Sequence, residues 1–560
     1  MSNQRASIVF IAIIIGFISV VLKLFYWQVV ASDRLKTEAS LQHFIEFSLP
    51  AIRGNIVDRD DNQIVVNKPA YLVFAEPRLI PDPHEFSKVI APIIGLTDSE
   101  VFEKVSDPTS IWAPLIHRAD GEMVKMLKAL NLSSLGFEKE PLRLYPEAST
   151  ASQMLGFVGS DVNGVDHGYF GLEGYYDRQL RGVTGKLRLE KDAQGVPILI
   201  GDQQRVEPEN GRTLVLWSEK AVQEIVERRL KEGMEKYGAK EGSVVLMDPK
   251  TGGVLAMASY PNYDPTNFQS FPKEYYKNPI VASSFEPGST FKSLVMAAAL
   301  DHKLITPQTM MDETGPVQIG PYFIRTWNNE YHGPILMTQV LEYSSNVGMV
   351  FVAKKLGHDK FLSAIKRFGF GEPTHIDLED ESSPTLRDDD AWAEVDELTA
   401  SFGQGIAVTP IQMVAAVAAL ANGGKLMEPH VVKEIRDDNG RVIPVKSKVV
   451  RQVISEEAAR IIGEMMVEAV DNGEAKWAKP KGYRIAGKTG TAQIPVAGHY
   501  DETKTIASFV GFAPVDNPKF VMLVTLREPQ SSQWGSETAA PLFFAISREL
   551  FTYYGIGPQN

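Results

Sequence analysis

The chain has 560 residues, more than one ordinary hydrophobic core accommodates, so two or three domains are expected. Its apolar fraction of 44% and charged fraction of 23% are those of a globular protein, and a net charge of −13 without any basic, aromatic-interleaved stretch argues against nucleic acid as a partner. With no cysteine and ten scattered histidines that form no His-x-x-x-His pair, disulfides, thiol catalysis and cysteine metal sites are excluded, and neither a metal nor a cofactor is expected.

The first element is apolar. Ala6–Leu22 carries no charge, and Leu24-Phe25-Tyr26-Trp27 extends it past Lys23. At about 1.5 Å per residue such a helix crosses a bilayer, with Lys23 reaching toward the surface and Tyr26 and Trp27 at the interface. No Ala-x-Ala cleavage pattern follows, so residues 1–31 are expected to form a stub and a retained single-pass anchor. Arg5 on one side against Lys23, Arg34 and Lys36 on the other leaves the orientation unset. Ala31–Ser48 is polar and predicts a helical stalk.

Residues 32–205 mix short strands, Pro-rich loops and one polar helix near Gly121–Leu130. Ile56–Arg59 and Gln63–Val66 predict a hairpin across Asp60-Asp61-Asn62. Acidic residues here are spread singly, the pattern of a solvated face, so this region is expected to be a non-catalytic pedestal. A linker at Gly201–Gly211 leads to a strand, Thr213–Trp217, and the region 213–560. Ser218 is expected to cap an amphipathic helix ending near Tyr237, with Val222, Val226, Leu230 and Met234 on one face.

A hairpin over Ser243–Tyr260 follows, turning at Lys250-Thr251-Gly252-Gly253. Glu286-Pro287-Gly288 then breaks the chain and starts a helix with Ser289 in its first turn, followed by helical chain through Leu356. Beyond it come a strand over Tyr483–Ile494, a polar loop Gly498–Lys504, strands Ile506–Ala513 and Lys519–Leu526, and a closing helix Ala539–Phe551. Helices flanking an antiparallel sheet make an α+β, three-layer domain.

Three strings in this region carry chemistry: Ser289-x-x-Lys292, Ser344-x-Asn346 and Lys488-Thr489-Gly490-Thr491. Each alone is weak. Ser-x-x-Lys recurs at Ser270–Lys273 and Ser363–Lys366, and Lys-Thr-Gly recurs at Lys250–Gly252. Pro272 spoils the first copy, the second lacks the chain-breaking lead-in, and the third is a turn. Only the 289–344–488 set keeps one order with domain-sized gaps. Residues three apart share a helix face, so Lys292 is placed to take the Ser289 proton if burial and a second cation at Lys488 keep it neutral. Ser344 is a natural proton relay and Asn346 a substrate-amide ligand. Small residues along 486–492 let an extended peptide add beside that strand, with Lys488, Thr489 and Thr491 around its carboxylate. Gly482–Thr489 also fits a phosphate-binding loop letter for letter, but Gly490 and Pro495 do not open the helix that such a loop requires.

With these strings on the page, the chain resembles a class B penicillin-binding protein, a membrane-anchored peptidoglycan D,D-transpeptidase, over nearly its whole length. Arg53-Gly54-x-Ile56-x-Asp58-Arg59 and Gly171-Leu172-Glu173-Gly174 are similar to pedestal (dimerisation-domain) motifs of that family, and Phe402-Gly403-Gln404-Gly405 to a motif of its catalytic half. Asp60-Asp61 departs from the more usual Asn-Gly at that turn.

The resemblance implies a β-lactamase/transpeptidase-like domain with Ser289 as acyl-enzyme nucleophile, Lys292 as general base, and Ser344 and Asn346 in relay and alignment. Lys488, Thr489, Gly490 and Thr491 would form the donor-carboxylate strand, with the Ser289 and Thr491 N–H groups as oxyanion hole. It implies D-Ala-D-Ala stem peptides as donor, an amine acceptor, covalent β-lactam inhibition, and a SEDS-family glycan polymerase and other cell-wall membrane proteins as partners. It also implies an extracytoplasmic catalytic domain on the bacterial cytoplasmic membrane. Ser344-Ser345-Asn346-Val347-Gly348 is more similar to the septal than to the elongation branch. Two other readings keep the serine: a D,D-carboxypeptidase or β-lactamase that uses water, and a β-lactam sensor or division scaffold without turnover.

Overall fold

Val244 and Leu246 point to one side of a strand while Val245 and Met247 point to the other, and all four are buried. A strand covered on both faces reads as a continuous apolar run, which is what Val244–Met247 shows. In the computed structural model of the chain, residues 2–36, 44–161, 165–191, 198, 203–496 and 499–558 are described. They divide into two compact units, Met1–Arg53 with Arg181–Gly211, and Gly54–Leu180 with Arg212–Asn560.

In the first unit, a helix over Ser2–Phe25 runs into a π-helical turn, Tyr26–Val30. Gln4–Val30 is the one helix, among the described residues, that is long and apolar enough to cross a membrane, and none of its most apolar stretch is buried. Of the expected helical stalk, residues 32–36 are helical, while its end is not. Phe44–Leu49 is a strand that pairs antiparallel with Gly185–Glu190, which in turn pairs with Gln203–Val206. That last strand occupies part of the expected 201–211 linker. Residues 37–43 of the stalk and 201–202 of the linker lie outside the described residues. Residues 44–48 differ from the expected helix because their partner strand is some 140 residues away, beyond any local pattern.

The second unit begins with the expected hairpin: Ile56–Val57 pairs with Gln63–Lys68. Where one polar helix was expected, three pack on a three-stranded sheet: Pro83–Ile94, Asp98–Val105 and Gly121–Ala129. Thr213–Leu216 lies parallel to Ile56–Val57 and antiparallel to Val432–Arg436, so pedestal and catalytic strands share one six-stranded sheet.

Helix α1, Lys220–Tyr237, starts one residue later than expected, with Glu219 and not Ser218 at its cap. The Ser218 hydroxyl is buried and unpartnered. The orphan N–H of Lys220 goes instead to Asp58 Oδ2 at 3.0 Å. Asp58 also accepts from the N–H groups of Asp60 (2.9 Å) and Asn62 (2.8 Å) and from Asn62 Nδ2 (2.9 Å). One pedestal carboxylate thus closes the hairpin and caps a catalytic-half helix. Nearby, buried Arg143 donates to Glu173 Oε1 and to the Gly54 carbonyl, both at 2.7 Å, tying the two pedestal motifs together.

The catalytic sheet is antiparallel. It comprises β1 (Glu241–Met247), β2 (Val254–Tyr260), β3 (Ala486–Val496), β4 (His499–Ala513) and β5 (Phe520–Arg527), in the order β2-β1-β5-β4-β3. The expected polar loop before Ile506 is a continuation of β4, with Gly498 outside the described residues; edge pairing with β3 overrides its polar sequence. One face is covered by α1 and by α6, Ala539–Tyr553. The other carries α2 (Lys292–Asp301), α4 (Pro410–Ala421) and α5 (Glu456–Asn472). The expected three-layer α+β domain is present. Between α2 and α3, Asn346–Leu356, the chain is not all helical: Met310–Glu313 pairs with Gly333–Leu336, and Val317–Ile319 with Tyr322–Ile324.

Burial pushes the Asp58 carboxyl up, but its four hydrogen bonds outweigh that and hold it below the ordinary 3.8. Asp58→Ala is expected to cost on the order of 2–4 kcal/mol in urea unfolding at pH 7, because four donors lose their acceptor. A depressed folded pKa gives stability that is complete above the unfolded value and lost as pH falls through the folded one. The gap between the two proteins should therefore be full above about pH 4 and close below it.

Candidate active site

Ser289 lies in a 3-10 turn, Gly288–Phe291, that opens α2. Residues three apart eclipse in that geometry, so Ser289 and Lys292 lie on one side, and the Lys292 N–H bonds to the Ser289 carbonyl. The lead-in is anchored by Gly288 N–H to the Gly403 carbonyl (3.0 Å), and a Cβ on Gly403 would stand 2.1 Å from the Gly288 oxygen. Ser289 is half-buried, and its hydroxyl donates no hydrogen bond among the described residues.

Every residue from Lys292 to Leu300 is buried, so the Lys292 ammonium cannot turn toward solvent. It donates to the Ser344 carbonyl and, at 3.3 Å, to Ser344 Oγ. From the opposite wall, Lys488 Nζ donates to the same Oγ at 3.0 Å and to Thr489 Oγ1 at 3.1 Å. Two lysine amines from separate elements thus converge on one hydroxyl. Burial, then the neighbouring Lys488 charge, push the Lys292 amine well below its ordinary value, with Glu474 and Glu313 opposing. Burial lowers Lys488 to about 8.

Ser344 has φ of +54°, a backbone state that side chains resist, which turns its carbonyl and hydroxyl toward the lysines. Ser345 caps α3 by accepting from Gly348 N–H at 2.8 Å. Asn346 Nδ2 donates to the Arg325 carbonyl at 3.0 Å rather than contacting Lys292.

Lys488–Thr491 lies on β3, the edge strand, and no helix follows it, which removes the phosphate-loop reading. Gly490 is buried against the nucleophile turn: a Cβ there would be 2.5 Å from Ser508 Oγ and 2.8 Å from Thr290 Cγ2. Thr491 Oγ1 accepts from Gly535 N–H at 3.0 Å. All eight residues singled out in the sequence therefore lie on the three elements that meet at Ser344. The decoy Ser363–Lys366 sits on a helix elsewhere, His358–Arg367.

Several contributors carried no local signal. Thr290 packs beneath Gly490, Gly535 orients Thr491, and Glu313, fully buried, accepts from Ser345 Oγ. Trp327 and Trp534 meet edge to face, 5.0 Å apart. Singly placed acids, glycines and tryptophans are too common to be picked out without the fold.

Residues 242–548 match the family model of the penicillin-binding protein transpeptidase domain, and residues 48–216 that of the penicillin-binding protein dimerisation domain. Stage V sporulation protein D of Bacillus subtilis is 35% identical, with alignment over 100% of this chain and 87% of that protein. The peptidoglycan D,D-transpeptidase FtsI of Escherichia coli is 29% identical over 95% of this chain and 89% of its own. A crystal structure of penicillin-binding protein 3 from Mycobacterium tuberculosis, complexed with aztreonam, superposes with a TM-score of 0.71 at 26% identity, covering 92% of this chain and 98% of that one. Sequence, domain order and fold agree, and the chain belongs to the class B penicillin-binding proteins.

Proposed function

We propose that the chain is a peptidoglycan D,D-transpeptidase that cross-links stem peptides through an acyl-enzyme on Ser289. The observation that carries this reading is the convergence of buried Lys292 and Lys488 on Ser344 Oγ, next to a serine at a helix start.

Lys292, held neutral by burial, accepts the Ser289 proton as Oγ attacks the carbonyl of the penultimate D-Ala. The N–H groups of Ser289 and Thr491 take the developing oxyanion; the first turn of a helix leaves such donors free. The C–N bond breaks, and the proton reaches the departing D-Ala amine through Ser344. An acceptor amine then attacks the ester, gives up its proton along the same route, and frees Ser289. The donor lies along β3 as an added strand, its carboxylate at Lys488, Thr489 and Thr491, which an edge strand permits. β-Lactams, which present the same carboxylate and a strained amide, acylate Ser289 and stay.

The relatives named for sporulation and for FtsI support septal-type wall synthesis. Gln4–Val30 fits a single-pass anchor for residues 1–31, with a pedestal over 32–205 and an extracytoplasmic catalytic domain over 213–560. The family resemblance adds a SEDS-type glycan polymerase as partner.

Fluorescent penicillin should label the full chain on the peptide containing Ser289, and Ser289→Ala should take no label. Label on another residue, or on the alanine variant, would remove the acyl-enzyme assignment. With a donor stem peptide, cross-linked dimer should form when an amine acceptor is added; hydrolysed donor alone would favour the hydrolase.

The rate of penicillin acylation should depend on pH in a bell. It rises as Lys292 loses its proton and falls as Lys488 loses the charge that binds carboxylate. The alkaline limb should begin near pH 8 and steepen to about tenfold per unit. Gly490→Ala should reduce labelling sharply, since the new methyl group meets Ser508 and Thr290 at the seam between β3 and the nucleophile turn.

A further inference from the structure

Glu313 ends the strand Met310–Glu313 and has no exposed surface. A buried carboxylate is costly unless its oxygens are filled, and here they are. One oxygen accepts from Ser345 Oγ; the other accepts from the His332 N–H at 3.2 Å and faces His332 Nδ1 at 3.0 Å. Ser345, itself fully buried, adjoins Ser344 and caps α3.

The same segment grips the turn at each of its other positions. The His332 ring stacks on Tyr343 with centroids 4.2 Å apart, Trp327 Nε1 donates to the Tyr343 carbonyl at 3.3 Å, and the Arg325 carbonyl receives Asn346 Nδ2. Between those grips stands Ser344, with positive φ and both oxygens turned to the lysines. A backbone state of this kind persists only where its surroundings over-determine it. Of these restraints, the bond from the Ser345 hydroxyl is the one that ends on a fully buried carboxyl group, away from competing water.

We propose that Glu313 is a positioning residue for acyl transfer: by holding the Ser345 hydroxyl it sets the 343–346 turn so that Ser344 faces both Lys292 and Lys488. This rests on the transpeptidase reading above. Among the described residues Glu313 hydrogen-bonds to neither lysine and it moves no proton in the reaction; apart from a through-space effect of its charge on Lys292, it acts through Ser345.

The test is stopped-flow acylation of the detergent-solubilised full chain by a chromogenic β-lactam, resolving the acylation rate constant from the prior binding constant. Glu313→Ala should lower the rate constant by about 10- to 100-fold, the scale of an ångström-sized misplacement, with binding within about threefold because Lys488 and the threonines are untouched. Glu313→Gln keeps an acceptor for Ser345 Oγ and should restore the rate to within about fivefold of wild type. Ser345→Ala, which also loses the α3 cap, should be at least as slow as Glu313→Ala, and the double variant should lose less than the product of the two single losses, since the Ser345–Glu313 bond is common to both.

Thermal unfolding monitors folding, and if Glu313→Ala does not fold, Ser345→Ala and Glu313→Gln decide the matter. Wild-type rates in Glu313→Ala or Ser345→Ala, a glutamine variant as slow as alanine, or additive losses in the double variant would each overturn the proposal. A wild-type protein that takes no β-lactam would overturn both this inference and the reading beneath it.

Discussion

The juxtaposition of Lys292 and Lys488 across the Ser344 hydroxyl is unfavourable in itself, since both amines lose water and their charges repel. A short peptide carrying these residues would turn both lysines to solvent. Here neither can turn. Lys292 projects from a helix buried on every side, and Lys488 from a strand pinned between β4 and the nucleophile turn. Helix α5 packs against both α2 and β3 and so fixes the spacing between the two walls. The large core around these residues is the source of the shift: its packing keeps the Lys292 amine out of water and lowers its pKa.

The pedestal contributes in another way. Its strands continue the sheet that holds Thr213–Leu216, and its polar groups are used as joints. Asp58 caps α1, Arg143 bridges Gly54 to Glu173, and Tyr176 OH donates at 2.9 Å to Asp377, whose carboxylate also takes two backbone N–H groups from Val431 and Val432. Burial raises the Asp377 carboxyl, while those hydrogen bonds oppose it. Gly54 and Glu173, from the two pedestal motifs, here serve as acceptors for the buried Arg143. Residues 54–180 and the catalytic half belong to one compact unit for this reason.

The site was legible because its chemistry needs fixed residue types at fixed local spacings. Ser289 and Lys292 must share a face, and the small residues of 486–492 must leave room beside that strand, whereas the packing of Gly490 on Thr290 shows only in the fold. The hairpin at 56–65 and the helix to Tyr237 were legible from their periodicities. Pro83–Ile94 and Asp98–Val105 carry readable start signals, the Asp82 cap and the Thr97–Glu100 capping box, yet their mixed composition hid them among Pro-rich loops. The strands within 310–336 were missed because each is three or four residues long and gains its meaning only by pairing. Ser218 fits the residue preference for a cap, but Asp58 reached the helix start from 162 positions earlier in the chain.

What the sequence determined alone was the family and the order of its three strings, since Ser289-x-x-Lys292, Ser344-x-Asn346 and Lys488-Thr489-Gly490 can be recognised by residue type and local spacing. What the tertiary structure decided was the burial and aim of those side chains. Lysine amines shifted down by burial, a left-handed Ser344 and a buried Glu313 beside it all arise from exclusion of water and from contacts between residues far apart in the chain. No run of adjacent residues can encode them, because desolvation is a property of the assembled core.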